Sequence, residues 1–383
     1  MSHDWAWSEL GELSGLVGYG INRPGQPDPD GVPMLRAGDI SNGRVQAAEP
    51  MLISRDVDEA NPRTRLRPGD VVVVLVGRIG EAARVTSEHE GWQAARSVAV
   101  VRCADPAFAE WLQVWLSAPA ARAWCMANAT GSAQATLSLA KLRQLPVPRP
   151  PVVIQGRVLN TVRVIEARIE VNERIARSAV ALADAHFATA AVDRSTWPQH
   201  CFKDVTQART GASAKPTAPV PEGKGTAWAA PADVLHSSLP YLDRTAERAY
   251  GDHAVCPPGS VLVAPKAGEV HVAINQIPMV AGRGVLAVHP GRPADAWWLL
   301  HEIRSRSGEL SALGQGTGAR ELSARAFLHA AVSWPPVEVR DRFARVGSML
   351  HARALTAVRE NHTLQLLVVE PLPREVPTTL PAA

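Results

Sequence analysis

Apolar positions along the chain change their period, and they do so twice in the same order. Arg67-Pro68-Gly69-Asp70 leads into the apolar run Val71 to Val76, and Pro257-Pro258-Gly259-Ser260 leads into Val261-Leu262-Val263. Each is a proline-glycine turn feeding a β-branched strand. Helical spacing follows at Trp111-Leu112-Gln113-Val114-Trp115-Leu116 and returns at Trp297-Trp298-Leu299-Leu300-His301-Glu302-Ile303. Each half then reaches a proline pair, Pro150-Pro151 or Pro335-Pro336, and a long segment of helical character. The first of these segments has apolar residues at Val158, Val162, Ile165 and Ile169, a four-three-four rhythm suited to a coiled-coil seam, with Asn172 as a polar insertion that could fix register. The second carries Phe343, Val346 and Leu350, flanked by Val339 and Val358, and Pro371 ends it.

Other blocks repeat in the same order. Gly31-Val32-Pro33-Met34-Leu35-Arg36-Ala37-Gly38-Asp39-Ile40 is echoed faintly by Gly225-Thr226-Ala227-Trp228-Ala229-Ala230-Pro231-Ala232-Asp233-Val234. Gly80-Glu81 returns as Gly268-Glu269, and Gly131-Ser132-Ala133-Gln134-Ala135-Thr136-Leu137-Ser138 returns as Gly316-Thr317-Gly318-Ala319-Arg320-Glu321-Leu322-Ser323. The offset slides from 194 at Gly31 and Gly225 to 185 at Pro150 and Pro335, as short loop deletions would produce. The repeat predicts domains at 1–150 and 193–336, long helices at 151–192 and 337–370, and a disordered proline-containing tail at 371–383. A helix of about 40 residues would span about 60 Å, too long to close one compact domain. The two long helices are therefore expected to pair with each other, docking through Val158, Val162, Ile165, Ile169, Phe343, Val346 and Leu350. The expected fold class is α+β, with two mixed domains in a pseudo-two-fold arrangement joined by two long antiparallel helices.

Composition narrows the function without deciding it. A hydrophobic fraction of 46% and a charged fraction of 20% over 383 residues are those of a globular chain. A net charge of +3 permits nucleic-acid binding but does not demand it. Lysine occurs only at 141, 203, 215, 224 and 266, so nearly all of the 40 basic residues are arginines. That suits bidentate contact with guanine and phosphate, and equally reflects genomic base composition. Cys103, Cys125, Cys201 and Cys256 lie far apart with no C-x-x-C spacing, which reads as buried thiols rather than a metal site or a disulfide framework. No apolar run approaches the roughly 20 residues of a membrane helix, and no secretory signal is visible, so a cytoplasmic protein is expected.

Catalytic and cofactor signatures fail one by one. Asn61-Pro62-Arg63-Thr64 lacks the second proline of an amino-methyltransferase motif, and His301-Glu302 has Ser305 where a zinc protease needs its second histidine. Gly314-Gln315-Gly316-Thr317-Gly318 reads as a domain loop because its repeat partner lies at Gly131. Glu222-Gly223-Lys224 sits in a Pro/Gly/Ala-rich stretch without strand character. No catalytic residue, metal or cofactor is expected. A chain without chemistry of its own could act by binding nucleic acid, which needs phosphate and base-edge contacts from projecting side chains. Candidates beside glycine-rich turns are Arg36, Arg44, Arg78, Ser132 and Gln134 in the first half, and Lys215, Lys224, Lys266, Arg283 and Arg320 in the second. The tryptophans Trp92, Trp111, Trp115, Trp297 and Trp298 read as core residues, since most sit in apolar runs.

Four segments in series carry a family resemblance: Leu35-Arg36-Ala37-Gly38-Asp39-Ile40; Pro68-Gly69-Asp70 with Gly77-Arg78-Ile79-Gly80; the Gly131–Ser138 run; and Pro148-Arg149-Pro150-Pro151-Val152-Val153-Ile154-Gln155. Repeated twice, this order resembles the specificity subunit of type I restriction-modification systems, over essentially the whole chain. The resemblance implies a non-catalytic protein with two target-recognition domains, each reading half of an asymmetric bipartite site on double-stranded DNA. It also implies long helices that dock two adenine methyltransferase subunits, with motor-nuclease restriction subunits joining the complex. An orphan DNA-binding adaptor serving another defence or DNA-processing complex is the alternative. The second half departs from the pattern at Ala230 in place of Arg36, Arg340 in place of Gln155, and Lys266-Ala267-Gly268-Glu269 in place of the G-R-I-G segment.

Overall fold

The computed structural model describes residues 5–47, 49–105, 108–131, 135–213, 225–248, 255–266, 268–314 and 322–369. The chain is α+β and divides into two units, Met1–Ile169 with Asn361–Ala383, and Glu170–Glu360. The unit boundaries fall inside the two long helices, Val152–Ala190 and Val337–Val369, so each helix contributes to both units.

In the first unit an antiparallel sheet runs in the order Ser14–Tyr19, Val98–Cys103, Val71–Val74, Ala82–Arg84. The strand Val71–Val74 is fully buried because the sheet has a core on each face. Val71 and Val73 pack with Trp111, Trp115 and Leu142 on the helical side, while Val72 and Val74 join Leu35, Ile40 and Val100 on the other. Period-two alternation thus feeds two cores, which accounts for an uninterrupted apolar run. A second sheet orders Met51–Ile53, Val32–Leu35, Gln93–Ala94, and the pair Ala6–Glu9 with Pro146–Arg149 closes the domain.

The second unit repeats this plan. Its main sheet orders Thr206–Thr210, Leu286–Pro290, Val261–Lys266, Glu269–Asn275, Tyr241–Leu242. Val261 and Val263 face one core, Leu262 and Ala264 the other. Glu247–Arg248, Thr226–Ala229, Met279–Ala281 and Val255–Cys256 form the smaller sheet, and Gln199–Cys201 pairs with Ala331–Ser333. The faint first block is a shared cap. Asp39 Oδ2 accepts the Arg36 N–H at 2.8 Å, and Asp233 Oδ2 accepts the Ala230 N–H at 2.7 Å. Ser138 and Ser323 likewise cap short helices by accepting from the N–H of Lys141 (3.2 Å) and Ala326 (3.1 Å).

Glycine is required at two repeated places. Gly69 and Gly259 in the proline-glycine turns have φ of +90° and +87°. Gly20 and Gly211 lie where a Cβ would come within 2.1 Å of the Ala94 carbonyl oxygen and 1.9 Å of that of Gly282. Cys103, Cys125 and Cys256 are buried and Cys201 half-buried, all as free thiols. Burial, reinforced by Asp70 and Asp105, pushes the Cys103 thiol up to about 11, and burial pushes that of Cys125 to about 12.

The apolar rhythm of the long helices marks their buried sides but not what those sides face. In the first unit Val158, Leu159 and Val162 belong to the core of the domain itself, with Trp111, Trp115 and Val147. Ile165 is half-buried; Ile169 is buried, and its carbonyl accepts from Asn361 Nδ2 at 3.2 Å. In the second unit Ala176, Ala179 and Val180 of the first long helix pack with Ala354, Leu355 and Ala357 of the second, and the rings of Phe187 and Phe343 lie 5.8 Å apart. Rising numbers on one helix meet falling numbers on the other, so within this unit the pair is antiparallel. Val346, expected in the seam, is 36% exposed and Leu350 is half-buried. The buried side runs from Phe343 through Gly347, His351, Ala354 and Leu355, and of these Gly347, His351 and Ala354 are small or polar residues that a hydrophobicity pattern passes over.

Candidate nucleic-acid interface

The first-domain arginines converge on one hairpin. Ile40–Ser41 pairs with Arg44–Val45 through the turn Asn42-Gly43, in which Asn42 takes φ +51° and Gly43 φ +76°. Arg78 Nη2 donates to the Ile40 carbonyl at 2.5 Å, and Arg78 Nε pairs with Glu81 at 2.7 Å. Glu81 in turn accepts the Asn42 N–H at 3.1 Å. Arg36 pairs with Asp39 at 3.4 Å, and Arg44 Nη2 donates to the Glu166 carbonyl at 3.3 Å, tying the hairpin to the first long helix. Burial raises the Glu166 carboxyl above its ordinary range, against the opposing charges of Arg44 and Arg84. Each of these arginines therefore serves the fold, while Arg36 and Arg78 also keep about half of their side-chain surface exposed (49% and 55%).

In the second domain Lys266 ends the strand Val261–Lys266, and Arg283 is exposed beside Gly282 and Gly284. Ser132, Gln134, Lys215, Lys224 and Arg320 lie outside the described residues, as do Glu222-Gly223-Lys224, Gly316–Gly318 and the tail 371–383. Among the described residues no group of His, Cys, Asp and Glu could hold a metal ion, and no helix is long and apolar enough to cross a membrane.

One departure of the second repeat has a structural explanation. Arg340, where the first half has Gln155, pairs with the buried Asp295 and lies over the Trp334 ring. Arg292 binds the same Asp295 at 2.7 Å. His301-Glu302 is likewise structural: Glu302 is fully buried and accepts from Arg194 Nη2 at 2.8 Å. Burial raises its carboxyl above the ordinary range, opposed by Arg194 and Arg306.

His301 belongs to a hydrogen-bonded chain, buried except at its Asp184 end, that sequence spacing does not reveal, because its members come from both long helices and two domain elements. Asp184 lies 2.7 Å from His301 Nδ1, the two histidines meet Nε2 to Nε2 at 2.9 Å, and Tyr241 Oη lies 2.7 Å from His351 Nδ1. A carboxylate can only accept, so His301 donates from Nδ1 and accepts at Nε2 from His351, whose Nδ1 accepts from the tyrosine hydroxyl. Trp297 stacks on His351 at 3.9 Å, and Phe187 stacks on His301 at 5.4 Å.

Burial lowers His301 despite Asp184, and burial with the charges of His301 and Arg304 lowers His351 to about 3. Burial alone would raise Asp184, but the His301 hydrogen bond and Arg304 hold it below its ordinary value. Both histidines are neutral in the folded chain and take up protons on unfolding. Their contribution is therefore complete above the ordinary histidine value of 6.5 and declines as pH falls from there toward about 3. The melting temperature of the second unit is expected to drop over that window. The His351→Gln variant should melt lower at neutral pH and show a flatter decline; an unchanged pH profile in that variant would contradict the assignment.

No protein-family profile matches the chain. A curated relative, the Escherichia coli type I restriction enzyme EcoBI specificity subunit, is 29% identical over 185 residues, which is 46% of this chain and 38% of the relative. The match thus spans well under half the length of that relative. The crystal structure of a type I restriction-modification system S subunit from M. genitalium aligns over 100% of this chain and 98% of its own, with a TM-score of 0.50 and 12% identity.

The fold is that of a type I S subunit. The chain is also a sequence relative of the EcoBI specificity subunit. An HsdS subunit from Thermoanaerobacter tengcongensis aligns over 98% of this chain at 19% identity, with a TM-score of 0.36. In the S-subunit fold described here, the repeated units share strand order and caps but differ at equivalent side chains. The ion pair Arg102–Asp70 at 2.7 Å in the first unit stands where His289 bonds Ser260 at 2.8 Å in the second.

Proposed function

We propose that this chain is a DNA sequence-specificity subunit that recognises an asymmetric bipartite site and directs partner methyltransferase and restriction subunits to it, with no catalysis of its own. The observation that carries the reading is the structural repeat, one architecture built twice with different side chains at matching places. A symmetric pair of identical readers recognises a palindrome, whereas two unlike readers recognise unlike half-sites. The kinship with the EcoBI specificity subunit supports the same reading.

Within it, Arg36, Arg78 and Arg283 are candidate contacts to phosphate or base edges, together with Ser132, Gln134, Lys215, Lys224, Lys266 and Arg320. Arg44 has its side chain on the first long helix and is the weakest member of the set. The exposed sides of the two long helices are the surfaces on which methyltransferase subunits would dock, with residues such as Val164 (70% exposed) and Met349 (64%) available to them.

Phosphate contacts by arginine and lysine release counterions, so duplex binding by the chain alone should weaken steeply between about 50 and 200 mM salt. Gel-shift or anisotropy titration over that range checks this. Affinity indifferent to salt would remove the electrostatic basis of the proposal.

A further inference from the structure

The two repeats differ at one corner of the main sheet. In the first unit Arg102 reaches across to Asp70 with two bonds of 2.7 Å and donates to the Arg65 carbonyl at 3.1 Å. Leu16, opposite Arg102 in the sheet register, is buried beside it. In the second unit the same register places Gln207 opposite His289, with Ser260 in the position of Asp70. The smaller, neutral pair leaves an open cleft of about 350 Å³, lined by Gln207, Arg209, Ser260 and His289 and walled by Val255 and the prolines 257, 258, 290 and 293. That volume lies within the range of small-molecule sites.

The polar groups of the cleft are arranged toward a ligand. Ser260 is almost fully buried, and its hydroxyl donates to the Pro257 carbonyl at 2.6 Å, so His289 donates from Nδ1 to Ser260 Oγ and leaves Nε2 as an acceptor. Burial, with the charge of Arg209, lowers the His289 pKa and keeps this ring neutral. The side chains of Arg209 and Gln207 are exposed on the same strand and make no hydrogen bond among the described residues. A guanidinium fork suits phosphate oxygens. A glutamine amide offers a donor and an acceptor side by side, the pattern that matches the N6 and N7 edge of adenine. The proline faces supply flat apolar walls for a planar ring.

We propose that this cleft binds an adenine mononucleotide, with Arg209 on the phosphate, Gln207 and His289 on the base, and the prolines against the ring. The first unit holds its own Arg102–Asp70 pair in that place and does not share the site. The proposal is independent of the DNA-recognition reading, since its test contains no DNA.

Calorimetric titration of the full chain with adenosine 5′-monophosphate, adenosine and inorganic phosphate decides it. The mononucleotide should bind more tightly than either fragment, and Arg209→Ala should weaken it by about tenfold, the loss expected for one charge-assisted contact. Gln207→Leu, which installs the first unit's residue at an exposed strand position, should weaken the mononucleotide but not inorganic phosphate. The double variant Ser260→Asp with His289→Arg, which rebuilds the first unit's ion pair, should abolish binding while the chain still melts cooperatively. No binding of the mononucleotide up to about 1 mM, binding unchanged in both single variants, or phosphate alone binding as well as the mononucleotide would each overturn the proposal.

Discussion

Replacing residues 1–165 with the corresponding segment of another specificity subunit is expected to change one half of the recognised sequence and leave the other half as it was. The junction follows from packing. The strands Ala6–Glu9 and Pro146–Arg149 are partners, and Val158, Leu159 and Val162 belong to the core of the first domain, so a cut at 150 would strip that core of three buried side chains. A cut after 165 keeps those three side chains with the domain and leaves Ile169 to its contact with Asn361. Each mismatched base pair costs about 1 to 3 kcal/mol, so a half-site changed at three positions should lose at least about a hundredfold in affinity. Competition binding with duplexes carrying the old and new halves measures it. A chimera that changes both halves, or neither, would rule out two independent readers.

Phe343→Ala should lower the stability of the second unit by about 3 to 5 kcal/mol, the usual cost of emptying a phenylalanine site in a close-packed core. Phe343 is fully buried at a three-way junction. Its ring lies 5.8 Å from that of Phe187 on the first long helix, 5.4 Å from Trp298 of the domain and 5.4 Å from His301. Val346→Ala, at the exposed position one turn on, should change stability by no more than about 0.5 kcal/mol. Chemical denaturation of the two variants side by side provides the comparison. A loss below about 1 kcal/mol for Phe343→Ala, or equal losses for both, would mean that the helix is not held where Phe343 places it.

The repeat was legible in sequence because its signals are local: caps at Asp39 and Asp233, turns at Gly69 and Gly259, and N-caps at Ser138 and Ser323. Each forms within a few residues, so spacing alone records it. The long helices were legible for the same reason, since the proline pairs mark their starts and apolar periodicity their length. What those helices pack against was not. Periodicity identifies a stripe, and both the domain's own helices and a second long helix satisfy it, which is why Val158 and Val162 lie in a domain core and Val346 is partly exposed. Small residues such as Ala354 and Gly347, which permit close approach, carry no weight in such a pattern. The Tyr241–His351–His301–Asp184 chain was hidden because its bonded members are 110, 50 and 117 residues apart. The arginines singled out beside glycine turns were reachable from local signals, but their engagement was not. Arg78 is spent largely on the Ile40 carbonyl and Glu81, and Arg44 on the first long helix.

The central claim, that this chain chooses a DNA sequence on behalf of a methylating partner, is tested most directly by mapping N6-methylated adenines across the source genome with the gene intact and with it deleted. The account predicts one asymmetric, two-part motif methylated in the first case and unmethylated in the second, with all other methylated motifs unchanged. Loss of a continuous palindromic motif, or a methylation pattern indifferent to the deletion, would contradict it.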